Sequence, residues 1–245
     1  MHLRFPKISN IQITVINENC EGIPIVIAPG FLTENSNEWL DFLSKCINTP
    51  IIYVKWRSSS ILGITKEVLY SALYSFIPLR VPFRLGNVLG SVYKVYDAWS
   101  EAAKEANLAG KDLANFLNDI WDDEDKCIFI GHSLGVRVIT EAMTHLKYDN
   151  VFSSISIAGA IDVDEYEKRI MRIQSNNQIQ HINIFSNNDA VLKYLYIPAE
   201  FSLSPLGLKE SCLPCVDNIL TNIGHTEYQD SEAFAKMISD IYHMC

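Results

Sequence analysis

The sequence predicts an α/β domain, a mostly parallel central sheet with helices on both faces. Three observations carry this. Short β-branched runs recur along the chain with helical stretches between them, which is how strands buried on both faces read. A glycine-flanked serine, Gly131-His132-Ser133-Leu134-Gly135, stands where one such run gives way to a helical one. The chain has 245 residues, 48% hydrophobic and 20% charged, an ordinary composition for one globular domain that needs no disulfide or metal staple.

Each element follows from its pattern. Ile11 to Ile16 alternates apolar and polar residues, as a half-exposed strand does. Ile23 to Ala28 is a nearly continuous β-branched run, as for a buried strand, and Pro29-Gly30 ends it. Trp39 to Ile47 reads as a helix, with an apolar stripe at Trp39, Leu40, Phe42, Leu43 and Cys46. Ile51 to Val54 and Cys127 to Ile130 are the next strands, and a helix is expected over Leu134 to Leu146. Ser154 to Ile157 and His181 to Phe185 are further strands, Val216 to Leu220 is a weaker one, and a final helix covers about Ser231 to Tyr242. The acidic run Asp122 to Asp125 reads as a solvated loop.

Residues 61–99 break this rhythm. They are rich in large apolar and aromatic side chains, among them Tyr70, Tyr74, Phe76, Phe83, Tyr96 and Trp99. The longest charge-free run, Val68 to Leu79, has 12 residues, against the roughly 20 a spanning helix needs. No transmembrane segment is therefore expected. The stretch reads either as a helical insertion packed on the core, or as a mobile helical lid over an active site or an interfacial patch that meets lipid. Val68 to Val95 contains basic residues and no acidic ones, which suits peripheral contact with an anionic membrane.

The chain as a whole is acidic, with 29 Asp and Glu against 20 Lys and Arg and a net charge of -9. That excludes a general nucleic-acid binder, since phosphate binding needs a basic surface. The start MHLRFPKISN has no apolar h-region, so no secretory signal is read and a cytoplasmic location is expected, with 61–99 as the membrane-facing part. The six cysteines are scattered, and Cys212-x-x-Cys215 has no second pair to complete a zinc site. Reduced thiols in a reducing compartment are expected. No phosphate-binding glycine loop, dinucleotide fingerprint or H-E-x-x-H occurs, so neither a cofactor nor a metal is expected.

The serine motif carries the chemistry. Alone, G-x-S-x-G is too short to be specific. Following the strand Cys127 to Ile130 and opening a helix, it has the strand–turn–helix setting of a nucleophile elbow. The glycines let strand and helix approach closely, and the helix N-terminus brings aligned amide dipoles. A serine needs a base, and on such a scaffold the acid and the histidine follow in that chain order. Asp189 comes just after the late strand His181 to Phe185 and is the first candidate acid. Asp162, one strand earlier, is the second, and a capping role for Asp189 is the plain alternative. Of six histidines only His225 falls on a loop after the candidate last strand. Two backbone donors are expected to face the oxyanion: Leu134 N–H, and Phe31 N–H from the Pro29-Gly30-Phe31-Leu32 loop, with Leu32 as its substitute.

With these residues placed, the chain resembles the α/β-hydrolase superfamily. More narrowly, it resembles the lipase-like family that includes the transmembrane and coiled-coil domain proteins. The matching segments are Pro29-Gly30-Phe31-Leu32-Thr33-Glu34, Tyr53-Val54-Lys55-Trp56, Gly131 to Ile139, and Asn222-Ile223-Gly224-His225-Thr226-Glu227-Tyr228. The resemblance implies the hydrolase fold and a lipase-like or esterase-like activity on a small-molecule or lipid ester. This chain departs from it by lacking a transmembrane run in 61–99. Three rivals stay open on the sequence: a non-catalytic binding module on the same scaffold, an acyltransferase or peptidase using the same three groups, and a membrane-attacking effector.

Overall fold

The computed structural model describes residues 3–4, 10–33, 36–58, 85–173 and 179–244. Eight strands form one sheet: β1 (Leu3–Arg4), β2 (Ile11–Ile16), β3 (Ile25–Ala28), β4 (Ile51–Trp56), β5 (Cys127–His132), β6 (Val151–Ile157), β7 (Gln180–Ser186) and β8 (Val216–Thr221). Their order across the sheet is β1-β2-β4-β3-β5-β6-β7-β8. β1 and β2 run antiparallel to their neighbours, with Ile11 opposite Trp56 and Ile16 opposite Ile51. From β4 to β8 all pairs are parallel.

The helices are α1 (Glu38–Cys46), α2 (Leu85–Ile120), α3 (Gly135–Met143), α4 (Val163–Ile173), α5 (Ile197–Glu200) and α6 (Glu232–Met244). They divide the apolar residues into two layers. On one face Val26, Ala28, Ile52, Val54 and Phe129 pack against α2, α3 and α4. On the other, Ile25, Ile27, Ile51, Tyr53, Ile128 and Ile130 pack against α1 and α6. Successive side chains of a strand point to opposite faces, so strands covered on both sides must be apolar throughout. That is why they read as unbroken apolar runs.

The structure extends several expected elements by a few residues and supplies others. The strand read as Ile51 to Val54 continues to Trp56, because Lys55 and Trp56 pair with β2. The helix read as Leu134 to Leu146 is shorter, Gly135–Met143. α2 is a single helix of 36 residues, about 54 Å long. Residues 61–84 of the insertion lie outside the described residues, and residues 85–99 form the first part of α2. Alanines 102, 103, 106, 109 and 114 are buried against the sheet and α3. Such small side chains bring a helix close without the large apolar stripe by which a helix is usually read.

Candidate active site

Ser133 sits between β5 and α3 with φ +56°, a left-handed conformation that a non-glycine residue holds only at a cost of about 1–2 kcal/mol. Its backbone is tied to the neighbouring strand's exit: Ser133 N–H donates to Ile157 O at 2.9 Å, and Ala160 N–H donates to Ser133 O at 3.1 Å. The flanking glycine is sterically forced. A Cβ on Gly135 would lie 2.0 Å from the carbonyl oxygen of Ala28.

The three side chains picked from the sequence meet here. His225 Nε2 lies 2.9 Å from Ser133 Oγ, and His225 Nδ1 lies 2.6 Å from Asp189 Oδ2. All three residues are buried, His225 at 8% exposure and Asp189 at 0%. Only Nδ1 can donate to a carboxylate, so Nδ1 carries the proton and Nε2 is the acceptor for the serine hydroxyl. Asp189 also caps. Its Oδ1 accepts Leu192 N–H at 2.8 Å, at the start of a π-helical turn over Leu192–Tyr196 that runs into α5. Each oxygen of Asp189 thus has its own partner, Leu192 N–H on one and His225 Nδ1 on the other. Asp162 lies elsewhere in the hydrogen-bond pattern: Oδ1 accepts Asp164 N–H at 3.0 Å at the start of α4, and Oδ2 accepts the Ser202 hydroxyl at 2.5 Å.

The loop after β3 runs against the nucleophile. A Cβ on Gly30 would stand 2.6 Å from Ser133 Cβ, so only glycine passes here. Trp56 Nε1–H donates to Pro29 O at 2.8 Å, and the Thr33 hydroxyl donates to Gly30 O at 2.5 Å. Leu32 N–H is directed to Ser58 O at 3.4 Å, whereas the amides of Phe31 and Leu134 have no acceptor among the described residues. That contrast separates Phe31 from Leu32, the two candidates on this loop.

A cavity of about 60 Å³ opens beside His225, with Phe31, Leu32, Trp39, Trp99 and Val191 among its walls. Trp99 meets Phe31 edge-on at 5.4 Å and donates its indole N–H to Glu200 Oε1 at 3.0 Å. Glu200 also pairs with Arg137 at 3.1 Å, and Arg137 Nε–H donates to Ala160 O at 2.8 Å. The cavity wall is thus fastened to the helix behind the nucleophile.

Two residues without an assigned role in the sequence reading stand out. His132, before the nucleophile, donates Nε2–H to the carbonyl of His225 at 2.9 Å. Its ring contacts those of Trp39 and His225, with centroids 4.8 and 5.0 Å away, and Tyr228 meets it edge-on at 6.1 Å. Glu227 closes the His225 loop: its Oε2 accepts Gly224 N–H at 3.0 Å, and its own N–H donates to Gly224 O at 3.0 Å. Both bonds use backbone groups, which leave no mark in the order of side chains. Burial, reinforced by the Asp189 charge, pushes the Tyr228 phenol up to about 12 against the pull of its Thr221 hydrogen bond.

Among the described residues no group of three His, Cys, Asp or Glu side chains is arranged to hold a metal ion. No described helix is long and apolar enough to cross a membrane.

Comparison with solved structures gives the fold. Acyl-protein thioesterase 2 from Zea mays superposes with a TM-score of 0.55 at 14% identity, covering 95% of this chain and 97% of that one. Mouse alpha/beta hydrolase domain-containing protein 10 gives 0.53 at 12% identity, covering 100% and 97%. An esterase from Pyrococcus furiosus gives 0.50 at 12% identity, covering 100% and 92%. The chain has the α/β-hydrolase fold, and at such identities the likeness speaks for the fold alone. No curated protein matches the sequence. Residues 36–241 match the model of the family described as protein of unknown function (DUF726), and the chain belongs to that family.

Proposed function

We propose that this chain is a serine hydrolase that cleaves carboxylic esters of apolar acyl groups through a covalent acyl-enzyme. One observation carries the reading: the unbroken hydrogen-bonded line from Ser133 through His225 to Asp189, at 2.9 and 2.6 Å, on a strained elbow. In this reading Ser133 Oγ attacks the ester carbonyl carbon while His225 Nε2 takes its proton. Asp189 keeps Nδ1 protonated and stabilises the imidazolium. The N–H groups of Phe31 and Leu134 receive the oxyanion, each contributing about 3–4 kcal/mol to the transition state. Collapse breaks the ester C–O bond, and the proton on His225 passes to the leaving alcohol. A water molecule then attacks the acyl-enzyme, gives its proton to the same nitrogen, and releases the acid and the free serine.

The acyl group is read from the cavity. Its walls are largely apolar, and about 60 Å³ is well below the ~150 Å³ of a cavity that admits benzene. It suits the first few carbons of an acyl chain, so short apolar esters are the preferred substrates. The resemblance to lipase-like proteins supports ester chemistry and leaves the acyl length to the cavity. Peripheral contact of residues 61–99 with an anionic lipid surface belongs to the same reading.

The test uses p-nitrophenyl butyrate and a fluorophosphonate probe on wild type and Ser133→Ala. Wild type should turn over the ester and label covalently, and the variant should do neither while keeping its circular dichroism. Equal turnover by the variant refutes the assignment of the nucleophile. A folded wild type that neither labels nor hydrolyses indicates a binding module instead.

A further inference from the structure

We infer that His132 is a positioning residue for His225, holding the base in the orientation that its two ring hydrogen bonds alone leave open. The inference rests on the catalytic reading above and extends it to a residue outside the proton relay.

The reasoning is geometric. Asp189 and Ser133 hold the His225 imidazole at its two nitrogens. The ring also hangs from the loop backbone through Cβ, so its aim depends on where that backbone is held. The His225 carbonyl, bonded to His132 Nε2–H at 2.9 Å, anchors that backbone. The inclined contact of the two rings, with centroids 5.0 Å apart and planes at 47°, restricts the swing of the His225 ring. His132 itself has little room to move, because the Trp39 ring packs against it at 4.8 Å and the residue is buried.

Adjacency in the chain gives this contact its value. His132 and Ser133 are consecutive, whereas Ser133 and His225 are 92 residues apart. Through His132, the distance between nucleophile and base is set by the covalent geometry of the elbow as well as by packing of the strands between. Reacting groups must be held to well under 1 Å, since a misplacement of that size costs about 10²-fold in rate. A backbone carbonyl requires a donor from its partner, and a flat ring packs against both Trp39 and His225. A histidine protonated at Nε2 meets both demands.

The experiment compares H132F, which keeps a flat ring and lacks the donor, with H132Q, which restores a donor at similar reach. Two quantities are measured on each: kcat and KM for p-nitrophenyl butyrate, and the low-field NMR resonance of the His225 Nδ1 proton on Asp189. H132F should lose about 10–100-fold in kcat with KM within about twofold, and its low-field line should broaden. H132Q should recover most of the turnover and the line. A folded H132F that keeps kcat within about twofold and a sharp line overturns the proposal. So does an equal loss in both variants with the line intact. If wild type itself proves inactive, the catalytic reading falls and the resonance decides alone: broadening in H132F with return in H132Q supports the clamp, and an unchanged line overturns it.

Discussion

Asp189→Asn is the substitution on which the proton relay turns, and its effect can be worked out atom by atom. Leu192 N–H is directed at Oδ1 at 2.8 Å. In an asparagine only the carbonyl oxygen can accept that bond, so the oxygen occupies the Oδ1 position and the amide NH₂ takes the place of Oδ2, 2.6 Å from His225 Nδ1. An NH₂ can only donate. It therefore favours the tautomer with Nδ1 bare and the proton on Nε2, which faces Ser133 Oγ. The serine hydroxyl then has no base, although every heavy atom stands where it did. Loss of the correct tautomer in such a triad lowers kcat by about 10⁴-fold, or about 5.5 kcal/mol in the barrier. The assay is ester hydrolysis and fluorophosphonate labelling rate, with circular dichroism and thermal melting to establish folding. Asp162→Asn is the control. It disturbs the start of α4 and should cost about 1 kcal/mol of stability and less than about twofold in kcat. A folded Asp189→Asn enzyme with more than about a tenth of wild-type kcat, or an Asp162→Asn enzyme with the larger loss, refutes the reasoning.

Other consequences can be measured separately. Gly135→Ala would set a methyl 2.0 Å from the Ala28 carbonyl oxygen. The two elements must separate, and stability should fall by about 3 kcal/mol, seen as a melting temperature lower by about 6–12 °C; a shift under about 2 °C contradicts the packing described. Val191→Phe should fill the cavity and lower kcat/KM for the butyrate ester more than for the acetate, and an equal effect on both would remove Val191 from the acyl wall. His181 is fully buried, and burial lowers its pKa from 6.5 to about 4. The unfolded chain therefore binds the proton first: stability from this group is full above pH 6.5 and declines as pH falls from 6.5 to 4, by about 3 kcal/mol in all. Urea midpoints between pH 7 and pH 4 should drop more steeply for wild type than for His181→Gln, and parallel curves would dispose of this linkage.

β3, β4 and β5 were legible because burial on both faces demands unbroken apolar runs, β2 because its residues alternate apolar and polar, and Ser133 because an elbow needs glycine nearby on either side. α2 was harder to read. Its buried face from Ala102 to Ala114 is largely alanine, and a boundary drawn at Trp99 by side-chain size falls inside a continuous helix. α4 buries Tyr166, Arg169, Ile170 and Ile173 on one side, but its many charged residues mask that stripe. Asp189 could not be separated from a helix cap on spacing because it is one. His132 had a visible position and an invisible role, since its partner is a main-chain oxygen 93 residues away.

That separation has a kinetic consequence. Ser133 lies at the end of β5, Asp189 follows β7 and His225 follows β8, so no local segment of the chain brings the three together. In the folded chain β6, β7 and β8 all stand between the Ser133 and His225 positions in sequence. Loop-closure entropy makes such distant pairings late events. During refolding, reactivity of Ser133 toward a fluorophosphonate should therefore appear after the recovery of helical circular dichroism, which makes covalent labelling a clock for the final step of assembly.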